Sequence, residues 1–216
     1  SEIEVDNLNF KAQESELSIN GKLGPDTGAK INFQLSIADL SYWESMAKGV
    51  LVVDGEVSGD LENLQTHIAG TIDGFNYDSN LIEHLSVEAD IDLANQLLEH
   101  LAVNGSKLNL ADIDFDSLTI KAVRQKELLQ TSLKLTGEYG LILGINGKQG
   151  TIGSDGELFD GEIEQFQFLP KQSEKWQLQE PTKLRITQHA SQLETLCLNT
   201  ELNKLCMEGV WQANQS

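Results

Sequence analysis

Along most of this chain apolar and polar residues alternate with a period of two. From Leu133 to Gly150 the pattern runs Leu133, Leu135, Gly137 and then Leu143, Ile145, Gly147. Strict alternation sends successive side chains to opposite faces, so each run predicts a strand with one apolar face. The glycine shares the parity of the apolar residues and is expected among them, where it leaves a gap or a bend. The same unit occurs as Leu17, Ile19, Gly21, as Leu51, Val53, Gly55, as Leu101, Val103, Gly105 and as Leu205, Met207, Gly209. Six of the eighteen glycines close such a unit; the residue frequencies alone would give roughly one or two. The units are unevenly spaced, which disfavours a fixed-period solenoid and predicts a long sheet of uneven strands joined by variable turns.

Other alternations are Ile31 to Ile37, Ile68 to Gly74, Leu85 to Leu93 and Phe159 to Ile163, and a one-residue slip at Asn7 divides Ile3, Val5 from Leu8, Phe10. Gly24-Pro25-Asp26 predicts a turn. Two segments depart from period two. Ser41 to Lys48 is expected to form a short helix with Ser41 near its N-cap, Gly49 as its stop and Trp43 as a core plug. Leu97, Leu98 and Leu101 fit a helical period, which predicts a turn or two of helix within Ala94 to Leu101.

Charge narrows the function classes. The 216 residues carry 15 Lys and Arg against 34 Asp and Glu, a net charge of −19. Such a surface repels phosphate backbones and acidic headgroups, so nucleic acid is not an expected partner. Disorder does not fit, because Leu, Ile and Val recur at period two. No apolar run reaches the length of a membrane-spanning helix, and Ser1 opens directly in an alternating run; the chain is expected neither to span a membrane nor to carry its own export signal.

Motifs for chemistry are lacking. Asp112, Asp114 and Asp116 resemble the start of a calcium loop, but Ser117 and Val123 stand where that loop needs glycine and a bidentate Glu; Ile113 and Phe115 between the acids predict a strand with an acidic outer face. His67, His84, His100 and His189 show no ligand spacing. Gly144, Gly147 and Gly150 lack the order of a phosphate-binding loop, and no nucleophile elbow is present. No catalytic residue, cofactor site or metal site is expected. Cys197 and Cys206 alternate with apolar neighbours in a way that suits the facing arms of a hairpin. That arrangement favours a disulfide, and hence an oxidising compartment, over a thiol nucleophile working with His189.

Trp176-x-Leu178-x-x-Pro181, Leu193, Cys197 and Leu205-Cys206-x-x-Gly209-x-Trp211 together resemble the ending of the TamB family within the AsmA-like group of the bacterial envelope. Asp39-Leu40-Ser41 through Gly59, and Asp160-Gly161-Glu162-Ile163, are similar as well; Leu198 departs from the bulky residue usual after the first cysteine. The resemblance implies an all-β, elongated, open and taco-like groove with an apolar interior, residues 1 to 216 forming one domain-sized slice of a longer periplasmic protein anchored elsewhere in the inner membrane. It implies a non-enzymatic role in carrying phospholipid toward the outer membrane, in assembling outer-membrane β-barrel proteins and autotransporters, or both. The partners would be phospholipid acyl chains, a TamA-like barrel and unfolded outer-membrane strands. Leu17, Ile19, Leu51, Val53, Leu101, Val103, Leu133, Leu135, Leu143 and Ile145 are the expected groove lining. The rival reading is an adhesin or passenger β-solenoid with a closed, dry core.

Overall fold

The computed structural model of the protein describes residues 3–60, 62–150 and 157–212. Its strands are β1 (Ile3–Ala12), β2 (Ser15–Gly24), β3 (Gly28–Ile37), β4 (Ala47–Gly59), β5 (Gln65–Tyr77), β6 (Asn80–Asp92), β7 (Leu97–Leu110), β8 (Ile113–Gln125), β9 (Leu128–Gly137), β10 (Gly140–Gln149), β11 (Glu157–Leu169), β12 (Trp176–Leu178), β13 (Thr182–Thr187), β14 (Ala190–Asn199) and β15 (Lys204–Gln212). All 15 join one sheet. From β1 to β11 each strand pairs antiparallel with the next in sequence, as period-two segments joined by short turns allow without any crossover.

β12 and β13 lie end to end in one strand position: both pair with β11 on one side and with β14 on the other. Pro181 falls in the gap between them, where the missing N–H interrupts the ladder. β15 completes the sheet against β14. With β12 and β13 sharing a position, the 15 strands occupy 14 places, which at ~4.8 Å per neighbour gives a sheet about 60 Å long across the strands.

Among the described residues every strand packs against its sheet neighbours and no second layer covers either face. The core is thin as a result: no large side chain is fully enclosed. The densest apolar packing lies at the C-terminal end, where Ile163, Leu196 and Leu198 are buried against Phe166, Trp176, Leu178 and Leu184. The opposite face is polar and laced by cross-strand ion pairs such as Lys22 to Glu4 at 2.8 Å and Lys107 to Glu83 at 2.8 Å. Exposed pairs of this kind add little stability but keep that face wet.

Two helical expectations are corrected. Ser41 to Lys48 forms only a 3-10 turn, Leu40–Tyr42, and its N-cap is Asp39, whose carboxylate accepts from Ser41 N at 2.9 Å. Ala47 and Lys48 are already in β4, paired with Tyr77 and Asn76, and Gly49 sits at a bulge with φ 128° rather than at a helix stop. A two-turn helix has a costly nucleus, and extending the sheet satisfies the same backbone groups directly. Trp43 is no core plug: it is 65% exposed, and its indole N–H donates to Ser15 Oγ at 3.2 Å. Ala94 to Leu101 holds a turn and the start of β7. Glu99 is an extra residue there, since Ile91 pairs with Leu98 while Asp90 pairs with His100. A bulge puts residues three apart on one face, and this mimicked a helical period.

Candidate functional site: the uncovered apolar face

Register converts the alternating runs into continuous rows. One row reads Phe10, Leu17, Leu35, Val53, Gly70, Val87, Val103, Ile120, Leu133, Leu143, Phe166, each residue directly opposite the next. Beside it run Leu8, Ile19, Phe33, Gly55, Ile68, Ala89, Leu101, Ala122, Thr131, Ile145, Ile163. On the other flank lie Ile37, Leu51, Ile72, Leu85, Gly105, Leu118, Leu135, Leu141, Phe168 and Trp176. All ten residues expected to line a groove therefore fall in three adjacent rows of the same face. Most are half-buried, because neighbours in the sheet cover their flanks while no described residue lies on top.

Glycines shape this face. Phe33 is opposite Gly55, and its ring lies where a Cβ on Gly55 would project, so an aromatic from one strand fills the gap left by the next. Gly147 and Gly161 face each other, and a Cβ on either would strike the partner strand's backbone. Gly147 is buried as expected, whereas Gly137, at the end of β9, is exposed with φ 148°.

A fourth row is interrupted by a charge. Val57, Thr66, Ile91 and Leu98 lead to Arg124, after which Leu129, Gly147, Gly161, Leu184 and Leu193 resume. The Arg124 side chain is only 8% exposed. Its Nε donates to Leu98 O at 3.1 Å and lies 3.0 Å from Glu99 Oε1, and its Nη2 donates to Gln149 Oε1 at 2.6 Å. Gln149 Oε1 also accepts from Leu98 N at 3.2 Å. The bulge at Glu99 turns the Leu98 backbone groups toward the apolar face, and these two side chains satisfy them. Sequence reading passed over Arg124. Its signal was parity, since it continues the phase of Leu118, Ile120 and Ala122.

Cys197 and Cys206 stand directly opposite each other, with Cα atoms 4.1 Å apart, and are joined as a disulfide on the face away from Leu196 and Leu198. No free thiol remains for His189, which sits in the turn between β13 and β14. On the polar face His67 Nδ1 is 2.7 Å from Asp90 Oδ1, and this hydrogen bond raises the histidine above its ordinary pKa despite some desolvation. Asp112 lies in the turn between β7 and β8 and Asp114 accepts from Asn109, so the acids do not converge. Among the described residues no three metal-ligating side chains meet.

β1 pairs only with β2 and β15 only with β14 among the described residues, so the sheet does not close on itself. One uncovered, antiparallel sheet with an apolar face along its whole length is an open β-groove. The TamB N-terminal domain family model matches residues 1–216, and the chain belongs to that family. It is an envelope protein of the TamB/AsmA type, a family of transport and assembly components that works with TamA. No curated protein and no solved structure matches the chain.

Proposed function

We propose that the apolar face is a trough for lipid acyl chains, one stretch of a periplasmic path along which phospholipid moves between the inner and outer membranes. The observation that carries this reading is the set of predominantly apolar rows running across the strands with no described residue packed on them. Each methylene removed from water contributes about 0.8 kcal/mol, so a chain lying along the rows is held without polar contacts and can slide. The sheet is about 60 Å long and a bilayer's hydrocarbon core about 30 Å thick, so the trough has room for several chains in file. No enzymatic step belongs to this role, and the disulfide suits an oxidising periplasm. A photo-crosslinking residue at Val53, on the trough face, should capture lipid from cells, whereas one at Val52, on the polar face, should not. Equal capture at both positions would sink the proposal.

A second reading concerns assembly of outer-membrane β-barrel proteins with a TamA-like partner. The outer edge of β15 favours it, because among the described residues that edge pairs with no other strand and Met207 and Trp211 are exposed along it, so it can accept another strand.

A further inference from the structure

Arg124 is the charged residue within the apolar rows, and its environment is half-built for a ligand. Its guanidinium offers five N–H donors in a rigid fork, matched to carboxylate and phosphate geometry. The described residues supply three oxygens to it: a backbone carbonyl, an amide and one carboxylate. That carboxylate, Glu99, is on the bulge and is 40% exposed, so it can swing into water, whereas the 8% exposed arginine cannot follow. Leu98, Leu129 and Ala122 lie beside it in the rows, so a chain in the trough brings its head to this point. The cluster sits where β7 begins and β8 ends, beside the β6–β7 and β8–β9 turns, at the rim where a polar head stays wet while its tail does not.

We propose that Arg124 is a binding site for the anionic head, phosphate or carboxylate, of an amphiphile whose chain lies in the trough, with Glu99 holding the site when it is empty. The proposal rests on the acyl-trough reading and adds a selectivity to it: anionic over neutral heads on the same chain. Glu99 is a competitor for the guanidinium, so binding replaces one carboxylate by the ligand's oxygens and leaves Gln149 and the Leu98 carbonyl in place.

The test uses the whole chain titrated with dodecyl phosphate, laurate and dodecyl maltoside, three heads on chains of similar length, below their micelle thresholds. Wild type should bind all three, the two anions more tightly. Glu99→Gln should tighten both anions by about tenfold, the scale of one charge-assisted interaction, and leave dodecyl maltoside unchanged. Arg124→Met should bring the anions down to the maltoside level. A gain of affinity in Glu99→Gln cannot come from misfolding, which covers the risk that Arg124→Met frays the bulge. Preference for phosphate over laurate identifies a phospholipid-type head, and the reverse a fatty acid. If both variants leave the anion-to-neutral ratio unchanged, Arg124 only ties down the bulge and the site is refuted while the trough stands. If dodecyl maltoside fails to bind but the anions bind in an Arg124-dependent way, the site stands and the trough reading falls.

Discussion

Val103→Glu separates an uncovered trough from a closed core. Val103 lies in the central apolar row between Val87 and Ile120 and is half-buried, flanked by neighbours but not covered. Full burial of a valine is worth about 1.5–3 kcal/mol, so losing half of it costs ~1 kcal/mol. The poorer strand preference of Glu adds up to ~1 kcal/mol. For a chain of this size that is a fall in Tm of about 2–8 °C. The carboxylate stays solvated because nothing packs over it, so no desolvation cost enters folding. Ligand binding is different. A chain lying over residue 103 must either strip water from the carboxylate, at several kcal/mol, or lift away and lose about two methylenes at ~0.8 kcal/mol each. Even the smaller loss weakens binding about tenfold. The assay is a thermal melt together with a dodecyl maltoside titration, with Val52→Glu as the control. Val52 is also half-buried but faces the polar side, so it should show a similar melt and unchanged binding. Global unfolding of Val103→Glu, as expected for a carboxylate forced into a packed core, would show that the face is covered. A folded variant with wild-type affinity would show that chains do not lie there.

Gly147→Val should destabilise the sheet by an overpacking cost of about 1–3 kcal/mol, read as a lower urea midpoint, since the new side chain meets the β11 backbone; Gly144→Ala, whose Cβ would lie 3.2 Å from a side-chain atom of Gln165 rather than against backbone, should cost less. Reducing the Cys197 to Cys206 bond should loosen β15 alone: closing so short a loop is worth roughly 3 kcal/mol in the chain-entropy model, so amide exchange in Lys204–Gln212 should accelerate about a hundredfold while β4 to β8 keep their protection. Uniform acceleration would instead mean that the bond supports the whole sheet. His67 is raised by its hydrogen bond to Asp90, so its stabilisation is fully present below 6.5 and is lost as pH rises through the higher folded value; 47% exposure keeps that contribution small. NMR titration should show a His67 pKa above 6.5 that returns to normal in Asp90→Asn; an unshifted wild-type value would refute the hydrogen bond.

Breaks in the alternation turn out to be as informative as the alternation. The slip at Asn7 is a register shift between Val5 and Leu8, and the jump from Leu193 to Leu196 is another. Counting by two from Leu193 would have put Cys197 on the apolar face; the bulge moves the disulfide to the outside. At Leu98 and Leu101 the same device produced the spacing that read as helix, because a helix and a bulged strand both place residues three apart on one side.

Period-two alternation was enough to place the ten apolar residues from Leu17 to Ile145 on one face, and two cysteines allow only one pairing within a chain. Both facts are local, carried by the fixed geometry of an extended backbone. What required the tertiary structure was whether that face is covered, where the rows meet across strands, and that Arg124 lies among them. Alternation states that a side chain leaves water on one side but does not name what replaces the water. Only the pairing of the whole sheet, with no second layer of described residues over it, shows that the face is left open.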